Sequence, residues 1–155
     1  MGFVRGRKAV VALGIAVAAL VSAPQTAVAQ HWAFGYAVVA EEFAFRGVPD
    51  LLPAGSYDTL FINIGRAPHV IAAINLGQSC GGLDQEELVA VFDAGEENFF
   101  GHCPDASFGG EIFAVGGRQA QDTLTLRPGR NVFVCFVGRH YARGMMSFVN
   151  VINVG

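Results

Sequence analysis

Residues 131–151, NVFVCFVGRHYARGMMSFVNV, decide the fold, because an apolar run closes in a short polar loop and a second apolar run follows it. That pattern predicts two strands joined by a loop. Cys135, His140 and Met145 stand at Cys-x4-His-x4-Met, so a loop that doubles back brings a thiolate, an imidazole and a thioether towards one point. Soft sulfur beside borderline nitrogen favours copper. Two His, one Cys and a weak axial Met form the donor set of electron-transfer copper sites. The second His has to come from elsewhere, and His69, in NIGRAPHVIAAINL at 63–76, is the best-placed candidate.

Along 131–137, Phe133, Cys135 and Val137 share one face while Val132, Val134 and Phe136 share the other. Apolar residues on both faces are expected of a strand covered on both sides, which would shield Cys135 from bulk water. Leu124 to Arg130, LTLRPGR, precedes it: Thr123 to Leu126 reads as a strand, Arg127-Pro128-Gly129 as a turn, and the pair as a hairpin. The run from Ser147 to Val154 reads as the last strand. High Phe, Val, Ile and Gly content with short apolar runs and frequent turn residues favours an all-β sandwich over a helical bundle.

Working towards the amino terminus, Tyr57 to Ile64 alternates, with Leu60, Ile62 and Ile64 on one side and Thr59, Phe61 and Asn63 on the other. This is a strand pattern. Gly65 to Pro68 turns the chain, and His69 opens an apolar segment, so its imidazole would sit where a buried strand emerges from a loop. Leu51 to Gly55 reads as a turn around Pro53, and Phe34 to Val39 and Glu42 to Phe45 as short strands. Between the two halves, Gly77 to Gly110 differs in character: it is acidic, contains no Lys or Arg, and looks like an insertion. Asp84, with Glu87 three residues on, predicts a capped short helix over Asp84 to Asp93 with Leu88, Val89 and Phe92 on its apolar stripe.

Residues 1–29 read as an export signal: Arg5, Arg7 and Lys8 precede AVVALGIAVAALV, and Ala27-Val28-Ala29 forms a small-residue cleavage site. The apolar stretch is short for a membrane span, and no span is expected in the mature chain. Residues 30–155 would form one domain. They hold seven Arg, no Lys and thirteen acidic residues, so removal of the leader takes the formal charge from -3 to about -6. That acidic balance argues against nucleic acid as a partner. Three cysteines in an exported chain leave one over if two pair. Cys80 (GQSCGG) and Cys103 (GHCPD) lie in polar, Gly-rich loops, whereas Cys135 lies in an apolar strand. A Cys80–Cys103 disulfide is therefore expected, with a chain-entropy contribution of about 3 kcal/mol, and Cys135 is left as a thiolate or as a small buried apolar residue.

At this point the chain resembles the cupredoxins, the plastocyanin and azurin family of small blue copper proteins. The resemblance spans roughly residues 42–154 and rests on the carboxy-terminal Cys-x4-His-x4-Met, whose spacing is similar to that of rusticyanin, and on LRPGRNVFVC followed by a loop and a final apolar strand. It implies a Greek-key β-sandwich with the short helix in a mid-chain insertion. It also implies one mononuclear type 1 copper held by His69, Cys135 and His140 with Met145, or its neighbour Met146, as weak axial ligand. The implied activity is electron carriage in the periplasm or outside the cell, not enzymatic turnover, by a monomer whose redox partner docks near an exposed His140 flanked by Arg139 and Arg143. Phe133, Phe136 and Phe148 would keep the site dry. Two departures stand out: Val70 follows His69 where many members have an Asn that ties the ligand loops, and Arg139 precedes the loop His where Gly or Pro is common. The tie is missing or replaced.

Two other readings use the same residues: a copper-binding or copper-delivery protein without an electron-transfer role, and a metal-free module in which His69 and Cys135 only pack. His102, beside Cys103, reads as an exposed loop residue. His31 could chelate metal only as a new amino terminus, and Gln30 is a poor residue at that cleavage position. No phosphate-binding Gly motif and no Ser-His-Asp nucleophile pattern is present.

Overall fold

A computed structural model describes residues 35–154. The expected leader and His31 lie outside the described residues. The chain runs β1 (Tyr36–Glu41), β2 (Ala44–Arg46), β3 (Leu51–Pro53), β4 (Gly55–Asn63), β5 (His69–Asn75), α1 (Gln85–Asp93), α2 (Glu96–His102), β6 (Ser107–Ala114), β7 (Gln119–Leu126), β8 (Gly129–Val134), a 3-10 segment (Val137–Arg143) and β9 (Met146–Ile152). The strands form two sheets, ordered β2-β1-β4-β7 and β3-β9-β8-β5-β6. This is the expected all-β sandwich. Among the described residues no helix is long and apolar enough to cross a membrane.

The core between the sheets holds Val38 and Phe61 from the first sheet against Ile71, Phe133 and Val149 from the second, with Cys135 and Met145 in the same cluster. In β4 the inward residues are Tyr57, Thr59, Phe61 and Asn63, while Ile64, just past its end, is 59 % exposed. Polar residues thus face inward, and each finds a partner. Thr59 Oγ1 donates to the Tyr57 carbonyl, and Asn63 Nδ2 donates to the carbonyls of Ala67 and Ala114 while its Oδ1 accepts from the Gly65 amide. Buried polar groups satisfied in this way rigidify the loop that leads to His69.

The central strands β5 and β8 of the second sheet are covered on both faces, which accounts for their apolar runs. The outer face of that sheet, carrying Ala72, Ile74, Val132 and Val134, packs against Leu88, Phe92 and Phe99 of the insertion. Burying Leu88 and Phe92 stabilises the helix by about 1.5–3 kcal/mol each. Asp84 caps α1 by accepting from the Glu87 amide at 2.9 Å, and the Glu87 carboxylate accepts from the Asp84 amide at 2.9 Å. The expected Cys80–Cys103 disulfide is formed and encloses both helices.

Several expectations need correction. The Arg127–Gly129 turn does not make a hairpin: β7 pairs with β4 in the first sheet, while β8 pairs with β5 and β9 in the second. Side chains of the second sheet capture the turn, because Asn75 Nδ2 donates to the Arg127 and Pro128 carbonyls and Asn131 Nδ2 to those of Arg127 and Gly129. The chain is therefore led across the sandwich. Leu51–Pro53 forms an edge strand parallel to β9, a place where Pro costs little because its missing N–H faces no partner. Residues 107–110, expected within the insertion, begin β6. A Cβ on Gly109 would sit 2.1 Å from the Thr125 carbonyl oxygen, so the glycine marks a close crossing of two strands. Helix α2 follows Gly95, which offers no side-chain cap, so it carries no start signal.

Candidate metal centre

His69 is the first residue of β5, paired with Ala114 of β6, and is fully buried. Cys135 directly follows β8 and is likewise buried, and His140 lies in the 3-10 segment at 8 % exposure. The loop from 135 to 145 folds back on itself through backbone bonds: the Cys135 amide donates to the Met145 carbonyl at 3.1 Å, Tyr141 to the Cys135 carbonyl at 3.0 Å, and Met145 to the His140 carbonyl at 3.1 Å. Those bonds fix the spacing of Cys135, His140 and Met145 at the backbone. The strands β8 and β9 on either side are antiparallel partners, as the opening stretch of sequence predicts.

The three side chains converge. His69 Nδ1 and His140 Nδ1 are 3.1 Å apart, and Cys135 Sγ is 3.8 Å from the first and 3.6 Å from the second. The point equidistant from these atoms lies about 2.0 Å from each, the reach of a metal–imidazole bond and slightly less than that of a metal–thiolate bond. Three lone-pair donors held this close in a dry site repel one another unless a proton or a metal ion lies between them. Among the described residues this is the one group of three His, Cys, Asp or Glu side chains close enough to share an ion. The chemistry of the donor set therefore fits a soft or borderline metal.

Electrostatics agree with that fit. Burial lowers the pKa of His69, helped by the neighbouring His140, and burial together with the Arg143 cation lowers that of His140. Both rings are held neutral, the form that ligates a metal. Burial raises the pKa of Cys135, so its thiolate needs a cation beside it. The Val70 amide donates to Cys135 Sγ at 3.4 Å. This backbone contact joins the His69 strand to the Cys135 loop. His69 Nε2 is buried without a hydrogen-bond partner.

Met145 is fully buried in the inter-sheet cluster with Cys135, whereas Met146 faces the outer cluster under the insertion. Of the two adjacent thioethers, Met145 is on the side of the three donors. His102 ends α2 and takes no part in the cluster.

The surroundings of His140 differ from the expectation. The imidazole is nearly buried, because the Phe43 ring meets it edge-on at 5.0 Å between centroids and the Arg143 guanidinium lies 3.7 Å over the Phe43 ring. Phe43 has a positive φ of 64°, and nothing in its sequence neighbourhood marks it. Arg139 is not free to lend positive charge to the surface: it pairs with Asp93 of α1. Phe133 lines the cluster with Cys135, but Phe136 is 39 % exposed and packs on Phe92 and Tyr141, and Phe148 lies beneath Arg130. Phe43 takes the shielding role assigned to those two.

No protein-family model and no curated protein sequence matches the chain. Solved structures do. Auracyanin B is 22 % identical with a TM-score of 0.55, the alignment covering 77 % of this chain and 89 % of that one. Dithionite-reduced auracyanin from Roseiflexus castenholzii is 20 % identical at a TM-score of 0.51, covering 76 % of this chain and 96 % of its own. Auracyanin A, a blue copper protein from Chloroflexus aurantiacus, is 18 % identical at 0.50, covering 76 % and 98 %. The described part of this chain therefore has the fold of the auracyanins, a cupredoxin-like β-sandwich.

Proposed function

We propose that this protein is a type 1 copper electron carrier, exported by its leader to the periplasm or beyond. The observation that carries the proposal is the convergence of His69 Nδ1, His140 Nδ1 and Cys135 Sγ, within 3.8 Å of one another, in a site that water barely reaches. His69, Cys135 and His140 would hold the metal and Met145 would stand as the weak axial donor. Copper supplies a one-electron couple there, Cu(I)/Cu(II). The chain's own residues supply rigidity: β5 anchors His69, the folded-back backbone anchors Cys135 and His140, and Phe43 and Phe133 exclude water. A donor set acceptable to both oxidation states and held by the sheet needs little rearrangement when an electron moves. No substrate pocket is required, so the protein is not an enzyme on this reading.

Burial also favours electron carriage over copper delivery, since handing on an ion requires ligands that a partner can reach. The redox partner is proposed to dock near His140, over Phe43 and Arg143.

The test is the visible spectrum of the purified mature protein after Cu(II) addition, beside that of Cys135→Ala. An intense charge-transfer band that bleaches reversibly with reductant and is lost in the variant supports the reading. Tight binding without the band points to storage or delivery. Absence of binding leaves a metal-free module.

A further inference from the structure

His140 sits in a strained piece of backbone. The 3-10 segment carries two consecutive left-handed residues, Gly138 at φ 52° and ψ 26° and Arg139 at φ 57° and ψ 37°. Glycine adopts this conformation freely, but the Cβ of arginine crowds the following carbonyl. A residue held so persists where its surroundings over-determine it.

Those surroundings belong to the insertion. Arg139 Nε donates to Asp93 Oδ1 at 3.0 Å, and its Nη2 donates to Oδ2, so the guanidinium and carboxylate meet at two points. The Tyr141 hydroxyl donates to the same Oδ1 at 2.8 Å. One carboxylate thus holds both chain neighbours of His140. The bond from Tyr141, with that from Arg139 behind it, keeps the Asp93 carboxyl below its ordinary range. Asp93 is the last residue of α1, where a negative charge opposes the helix dipole, so its place does nothing for the helix itself. The helix stands without it, on the Asp84–Glu87 cap, buried Leu88 and Phe92, and the Cys80–Cys103 bridge.

We propose that Asp93 is a positioning residue: by clamping Arg139 and Tyr141 it fixes the left-handed turn that aims the His140 imidazole at His69 and Cys135. The insertion is then a brace for the metal loop. This deepens the copper reading and rests on it for the metal readout.

The experiment compares wild type, Asp93→Ala, Asp93→Ala with Arg139→Gly, and Glu97→Ala as a control on the insertion. Two quantities are followed: copper release to excess chelator, read from the visible band, and amide hydrogen exchange of Tyr141 and Met145 in the metal-free protein. These amides bond to the Cys135 and His140 carbonyls. Asp93→Ala should release copper on the order of tenfold faster, the loss expected of a charge-assisted fork, and exchange faster at both amides. Arg139→Gly in that background should restore both, because glycine holds the left-handed turn without a clamp. Glu97→Ala should match wild type. Unchanged release and exchange in Asp93→Ala overturn the inference, and so does a double variant no better than Asp93→Ala, which would mean that Asp93 only supports the insertion. If wild type takes up no copper, the copper reading falls and the exchange measurements alone decide whether Asp93 clamps the loop.

Discussion

Met145 and Met146 are chemically identical neighbours, and only the direction of the backbone tells them apart. The first faces Cys135 between the sheets, and the second begins β9 facing the insertion. Met145→Leu conserves volume, so its stability cost should stay below about 1.5 kcal/mol. Its effect should be on the metal: loss of the axial thioether removes the weak donation available to Cu(II) and raises the reduction potential. A tenfold change in the balance of oxidation states corresponds to about 59 mV for one electron. Met146→Leu should leave the potential where it is. Voltammetry of the two variants checks this, and the reverse pattern would assign the axial position to Met146. At this scale the sequence was informative about donors and silent about their neighbours. Cys135 and His140 lie five positions apart in one loop, so their meeting is a local property, and His69 is marked by the apolar strand it opens. Phe43 and Asp93 reach the loop across long separations, and a positive φ at Phe43 leaves no trace in composition.

The corner between β7 and β8 is where periodicity misled most. LTLRPGRNVFV has every local feature of a hairpin, but local features do not say which sheet each strand joins. The choice is made by Asn75 and Asn131, whose amides take the turn's carbonyls from the second sheet. Asn75→Ala should strand the Pro128 carbonyl and the Gly77 amide, which donates to Asn75 Oδ1, while the Arg127 carbonyl keeps its bond from Asn131. The expected cost is about 1–3 kcal/mol in urea unfolding, with the copper spectrum unchanged because the corner lies at the opposite end of β8 from Cys135. A loss of the copper band with unaltered stability would show that the corner acts on the site instead. The same logic explains the other misreadings. Helix α1 carries its start signal in Asp84 and Glu87 and was legible. Helix α2 begins after Gly95 and was not, and the glycines of β6 hide a strand because they answer to the approach of β7, not to a pattern of period two.

The whole molecule should respond to acid in two stages. His69 and His140 are buried neutral with pKa values pushed down, so folding withholds protons that the unfolded chain takes up near pH 6.5. The stability they allow is full above that value and falls as pH drops below it, by up to about 1.4 kcal/mol per pH unit for each proton withheld. Glu42 and Asp105 act lower. The carboxyl of Glu42 is lowered by the Arg66 and Ala67 amides, and that of Asp105 by the Ser79 hydroxyl and then the Gln78 amide. Each ties one loop to another, and their contribution is present above the ordinary carboxylate range and lost as pH falls through the depressed folded values. Metal-free protein should therefore lose stability first as pH falls below about 6.5 and again below about pH 4.5. Urea midpoints measured across that range would show both limbs. Asp105→Asn should weaken the lower limb and leave the upper one, because its contacts with Gln78 and Ser79 are remote from the imidazoles. Glu42→Gln, by contrast, also removes a carboxylate charge that favours protonation of His69 and His140, and so extends the upper limb to lower pH. A midpoint constant from pH 8 to pH 5 would mean that the two rings take up protons in the folded state, and that the site is wetter than its geometry implies.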